Sequence, residues 1–127
     1  MGKITRTCEL DRVDLKELLS SKCKYGPVWQ KYFVLPEDKR LAVGTCAYPA
    51  GFTLREWPFY HDEMFYVLQG KAKVTTSSAP LYDKTEEFEV SEGNVYFMHR
   101  GAKATTEVLS EKPYVYLFMT VPSPDKL

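Results

Sequence analysis

The chain holds two histidines, His61 and His99, and the first stands two positions from a carboxylate in His61-Asp62-Glu63. An imidazole titrates near neutral pH without tuning. A glutamate among aromatic side chains has its pKa raised, because desolvation disfavours the charged form. Together they suit general acid/base chemistry, with Glu63 as acid or base and His61 as its proton partner. Aromatic residues surround this pair in sequence: Tyr48, Trp57, Phe59 and Phe65, with Phe97 further on. A mouth lined by Trp57, Phe59, Phe65 and Phe97 would take a flat or hydrophobic molecule. Arg55 or Lys103 would anchor an anionic group. His99, just before Arg100-Gly101, either approaches the same mouth or stands exposed. The alternative for Glu63 is an ion pair with Arg55, Arg100 or Lys103. The alternative for the aromatics is that they fill a core. His61, His99 and Glu63 also compose a two-histidine, one-carboxylate set of the kind that holds a divalent metal, although nothing in their spacing requires them to meet.

Strands must position these groups. Runs at 28–35, 40–48, 52–57, 63–69, 71–76, 86–90, 94–98, 103–109 and 113–121 are short, rich in β-branched and aromatic residues, and separated by Gly, Pro and Ser. Such spacing predicts an all-β sandwich or barrel. In a strand, residues two apart share a face, so Glu63, Phe65 and Val67 point one way, and Trp57 and Phe59 point inward on the strand before. His61 lies in the turn between. Gly70, between two apolar runs, marks a tight hairpin, since positive φ is cheap for glycine alone. Residues 77–87 read as a surface loop. The only helix expected is short, over 12–20, with Val13, Leu15, Leu18 and Leu19. The segment 1–24 therefore forms an N-terminal piece with that helix, 25–121 the barrel, and 122–127 a frayed tail.

At 127 residues the chain is one domain, and 44% hydrophobic residues suffice for a single core. Seventeen basic residues balance seventeen acidic ones, which leaves no field to attract nucleic acid or an anionic membrane. No uncharged run approaches a membrane span, and no apolar run follows the start as a secretory signal would require. Cys8, Cys23 and Cys46 form no CxxC pair and fit a reducing cytosol, each as a small buried hydrophobe.

The stretch Gly51…Glu63…Gly70 resembles the first motif of the cupins, in which Gly, two histidines, Glu and Gly follow at set intervals. Gly51, Glu63 and Gly70 fall in place, while Trp57 and Phe59 stand at the histidine positions. The second motif maps onto residues 91–108: Gly93 and Gly101 match, His99 replaces the proline and Ala104 replaces the ligand histidine. The resemblance covers about residues 40–121 and implies a cupin β-barrel or jelly roll. Glu56-Trp57 and the run from His61 to Gly70 resemble the ethanolamine-utilisation and ureidoglycine-type cupins, with His61 where tyrosine is usual. The family's metal site uses three histidines and a glutamate. Of that set only Glu63 survives, and Trp57, Phe59 and Ala104 cannot ligate.

The expectation is thus a metal-independent, cofactor-free cupin acting on a small organic molecule by proton transfer, as a lyase, isomerase or cyclase. The alternatives are a non-catalytic small-ligand-binding module and an accessory cupin with a filled interior. The family resemblance further implies a homodimer covering the edge strand 28–35.

Overall fold

The computed structural model describes residues 28–34 and 37–122. Nine strands make up its regular structure: β1 (Trp29–Val34), β2 (Ala42–Tyr48), β3 (Thr53–Pro58), β4 (Asp62–Gln69), β5 (Lys71–Ser78), β6 (Thr85–Ser91), β7 (Val95–Met98), β8 (Ala102–Val108) and β9 (Tyr114–Val121). Each expected run overlaps one of them. Five strands form one sheet in the order β1-β2-β9-β4-β7, and four form a second in the order β3-β8-β5-β6. Every pairing is antiparallel, and the inner faces of both sheets enclose one core. This is an all-β jelly-roll barrel. The helix expected over 12–20 lies outside the described residues, as do Cys8 and Cys23.

Alternation decides which side chains enter. Along β8, Ala102, Ala104, Thr106 and Val108 are buried and the residues between are half-exposed. Along β4, Glu63, Phe65 and Val67 are buried, sharing a face as period two demands. The core cluster joins Phe65, Val67, Tyr114, Tyr116 and Phe118 from the five-stranded sheet to Val74, Val90 and Val108 from the four-stranded one. Its aromatic rings meet edge to face, as in Tyr48 with Tyr116 at 5.6 Å, or stacked, as in Phe65 with Tyr96 at 4.4 Å. Both geometries are favoured by the ring quadrupole.

Two local features bear on the site. Gly70 turns β4 into β5 with φ +87°, and a Cβ there would lie 2.9 Å from the Pro113 carbonyl oxygen, so the hairpin needs glycine twice over. The expected loop over 77–87 is shorter than the composition suggests. Ser77 and Ser78 stay in the ladder with β8, and Ser77 also pairs with Thr85.

Candidate active site

At one end of the barrel the two sheets part around a cavity of about 70 Å³. A water occupies about 10–15 Å³ on this measure, so the space suits a ligand of roughly five or six heavy atoms. Val28, Tyr32, Leu54, Trp57, Phe59 and Phe118 give it apolar walls, while Gln30, Cys46, Tyr48, His61, Glu63, Tyr116 and Thr120 supply polar atoms.

His61 and Glu63 meet in this cavity. Nε2 of His61 lies 2.7 Å from Oε1 of Glu63, with side-chain exposures of 7% and 11%. The sequence put His61 in the turn between the two strands, a position that suggests the rim, and the structure buries it. The bend at residues 60–61 carries the chain into β4, so the imidazole folds back over the carboxylate two residues later. Phe59 packs edge-on against the imidazole at 5.8 Å and against Phe65 at 6.2 Å. Burial raises the Glu63 pKa, and the hydrogen bond and charge of His61 oppose that rise. A proton shared across this pair can rest on either group without leaving a net charge in the low-dielectric interior. Beside it, the Tyr48 and Tyr116 hydroxyls hydrogen-bond at 3.0 Å. Burial pushes both phenols well above their usual value, so they stay neutral donors.

The other expected site residues are placed as follows. Trp57 and Phe59 line the cavity with Tyr48. Phe65 faces inward but lies behind Phe59 in the core, stacked on Tyr96. Phe97 does not join the mouth and is 60% exposed. The register pairs Glu63 with Met98 and Met64 with Phe97, so Met98 shares the face of Glu63 and Phe97 takes the opposite one. Arg55 is also no anchor for the cavity. Strict alternation would put it beside Trp57, but the β3–β8 register shifts between Leu54 and Trp57, with Glu56 at φ +46°. The bulge turns Leu54 inward and leaves Arg55 exposed. Lys103 points outward between Ala102 and Ala104 and lies 4.6 Å over the Tyr82 ring. His99 is exposed and lines a separate cleft with Phe97 and Ser78. Its Nε2 meets Ser78 Oγ at 3.1 Å, and its Nδ1 donates to the Arg100 carbonyl at 2.8 Å.

Several lining residues escaped the sequence reading. Gln30, Tyr116 and Thr120 enter the cavity from β1 and β9, strands remote in sequence. Inward parity was the one signal that could have found them: Thr120 stands opposite Glu63, and Tyr116 opposite Val67.

The donor set does not fit the metal implied by the fold family. Trp57, Phe59 and Ala104, at the positions of the ligand histidines, carry no ligand atom of the kind such a centre needs, and Ala104 is buried in the core. Oε1 of Glu63 is engaged by His61. The smaller set of His61, Glu63 and His99 is not assembled, because His99 faces the other cleft. Among the described residues no three His, Cys, Asp or Glu side chains converge.

Comparison with known proteins agrees with this architecture. The model of the EutQ-like cupin domain matches residues 36–114. The cupin domain of Schizosaccharomyces pombe Cnp3 superposes with a TM-score of 0.63 at 18% identity, over 78% of this chain and 67% of that one. The Clostridium difficile EutQ protein superposes with a TM-score of 0.56 at 23% identity, over 76% and 64%. A variant of Bacillus subtilis oxalate decarboxylase gives 0.64 at 18% identity, over 76% of this chain and only 26% of the enzyme. No curated protein matches the sequence. Fold, strand order and the match across more than half its length agree: the chain belongs to the EutQ-like cupin domain family.

Proposed function

We propose that this protein binds a small organic molecule in the barrel cavity and moves a proton on it through the Glu63–His61 pair. The buried 2.7 Å contact between Nε2 and Oε1, set in an aromatic-walled cavity, carries the reading. Only Oε1 is taken by His61, which leaves Oε2 as the oxygen to abstract or deliver a proton at the ligand. His61 then stabilises whichever charge Glu63 acquires. Trp57 and Phe59 exclude water and fix the plane of the ligand, while whichever of the Tyr48 and Tyr116 hydroxyls does not donate to the other supplies a neutral hydrogen bond to a developing oxyanion. A lyase, isomerase or cyclase reaction fits this inventory, and nothing in it needs a metal. The sparse cysteines, with Cys46 buried, suit a reducing cytosol.

The test is solvent deuterium exchange into, or consumption of, a panel of small carbonyl and hydroxy compounds, followed by NMR. Glu63→Gln and His61→Ala should each lower the rate by about 10²–10⁴-fold. Unchanged rates in both variants would refute the assignment. Elemental analysis of chelator-free protein should find no stoichiometric transition metal, and one metal per chain would refute metal independence. One observation favours a non-catalytic binding module as the second reading: Glu63 and His61 already engage each other through Nε2 and Oε1, as a polar floor that could orient a ligand without reacting with it. In that case the wild type binds a compound it never converts, and Glu63→Gln still binds it.

A further inference from the structure

Outside the barrel cavity, a serine hydroxyl and an imidazole stand in the relation that an activated nucleophile needs. Nδ1 of His99 lies 2.8 Å from the Arg100 carbonyl oxygen. A carbonyl only accepts, so Nδ1 carries the proton. The neutral ring then presents Nε2 as an acceptor, and the Ser78 hydroxyl donates to it at 3.1 Å. Serine, histidine and a fixed acceptor behind the ring are the parts of a base-activated hydroxyl. Here a backbone carbonyl holds the tautomer. Backbone contacts hold the two residues together. Ser78 ends β5 opposite Ala102. The Ala79 N–H donates to the Gly101 carbonyl at 3.0 Å, and the Ala102 N–H donates to the His99 carbonyl at 3.1 Å. The turn from β7 to β8 is thus tied to the end of β5, which joins residues 21 positions apart.

The pair borders a cleft of about 470 Å³ between β5, β6 and β7, which shares no lining residue with the Glu63 cavity. Small-molecule sites span about 300–1,000 Å³, so the cleft has room for a substrate. Phe88, Phe97, Met98 and Ala102 give it apolar surface. Besides His99, its ionisable lining is Asp83, Lys84 and Glu86, two acids to one base, which disfavours an anionic ligand. We propose that Ser78 and His99 form a second catalytic site, at which Ser78 Oγ cleaves a small neutral carboxylic ester with an apolar acyl group. Oγ attacks the ester carbonyl carbon as Nε2 takes its proton. The tetrahedral adduct then breaks its bond to the alcohol oxygen, which departs with the proton from Nε2, and the acyl group stays on Ser78. Water attacks that acyl carbon and gives a proton to Nε2. The bond to Oγ breaks, and Oγ recovers the proton. The products are a carboxylic acid and an alcohol, with water as the one co-reactant. The Lys84 ammonium is the cation available to the oxyanion in both steps. Glu63 and His61 take no part, so this site is independent of the proposed barrel chemistry.

Hydrolysis of para-nitrophenyl butyrate by the full chain, with a fluorophosphonate probe as covalent label, tests it. The wild type should release nitrophenolate over repeated turnovers. The probe should add a single phosphonyl group, located on Ser78 by peptide mass spectrometry. Ser78→Ala and His99→Ala should each lower kcat/KM by about 10²–10⁴-fold. The double variant should be no slower than the slower single one, because the two residues act as a unit. Both side chains are exposed, so the far-UV spectrum should not change. Labelling of the wild type needs no variant and decides the matter if one fails to fold. A wild type that does not take the label, a label on another residue, Ser78→Ala hydrolysing at the wild-type rate, or single losses that multiply in the double variant would overturn the inference.

Discussion

Replacing His61 with alanine removes the only side-chain hydrogen-bond partner that Glu63 has among the described residues. The carboxylate, 89% shielded with His61 in place, would lose the one group that opposes its desolvation. A charge-assisted hydrogen bond contributes about 1.5–3 kcal/mol net. The alanine also leaves a gap against Phe59, so His61→Ala should destabilise by roughly 2–4 kcal/mol. A full ion-pair penalty of about 3–5 kcal/mol applies only if Glu63 stays ionised, and it escapes most of that by taking a proton. For a barrel of this size each kcal/mol moves Tm by about 4–8 °C, so a drop of at least about 8 °C is expected. The cleaner quantity is the coupling energy from a double-mutant cycle of His61→Ala and Glu63→Ala, measured by urea unfolding. The 2.7 Å contact predicts about 1.5–3 kcal/mol. A coupling below about 0.5 kcal/mol, the scatter of independent sites, would show that the two side chains do not act as a unit. Both the acid/base reading and the account of the Glu63 pKa would then fail.

Two further outcomes follow from the same structure. The folded-state pKa of Glu63 is raised by burial, above an unfolded value of about 4.3. Its contribution to stability is therefore fully present below that unfolded value and is lost as pH rises through the folded one. Glu63→Gln keeps the neutral form, so the stability of the wild type relative to this variant should fall from acid to neutral pH in denaturant titrations; a rise would contradict the burial argument. Gly70→Ala should cost at least about 2 kcal/mol, since φ +87° disfavours an L side chain and the new Cβ would sit 2.8 Å from Ser110 Oγ and 2.9 Å from the Pro113 oxygen. Gly93→Ala, at φ +88° with no atom within 4 Å, should cost only the backbone term of about 1–2 kcal/mol; equal losses at the two sites would refute the close-approach argument.

The strands were legible because alternation and turn residues are local signals, and each of the nine observed strands overlaps a run they marked, with ends that differ by a residue or two. The same signal placed Glu63, Phe65 and Val67 on one buried face. It failed where locality failed. At Arg55 a bulge near Glu56 breaks the period of two, and Leu54 takes the inward place that strict alternation assigns to Arg55. For Phe97 the parity depends on which residue of β7 stands opposite Glu63. Pairing with Met98 turns the phenylalanine outward, and no property of Val95–Met98 alone dictates that pairing.

From its residues alone the chain already specifies a cupin frame with one surviving site carboxylate and aromatic or alanine side chains where ligand histidines would stand. Those facts depend on identity and spacing, which are complete in one dimension. Whether His61 caps the carboxylate or waves at the rim, whether Tyr116 and Thr120 join it from β9, and whether His99 belongs to the same mouth are questions of which strands lie side by side. Cross-strand register is set by the packing of the entire core. That packing closes His61 on Glu63, sends His99 and Lys103 elsewhere, and leaves a sheet face of Tyr66, Val95, Phe97 and Met119 uncovered.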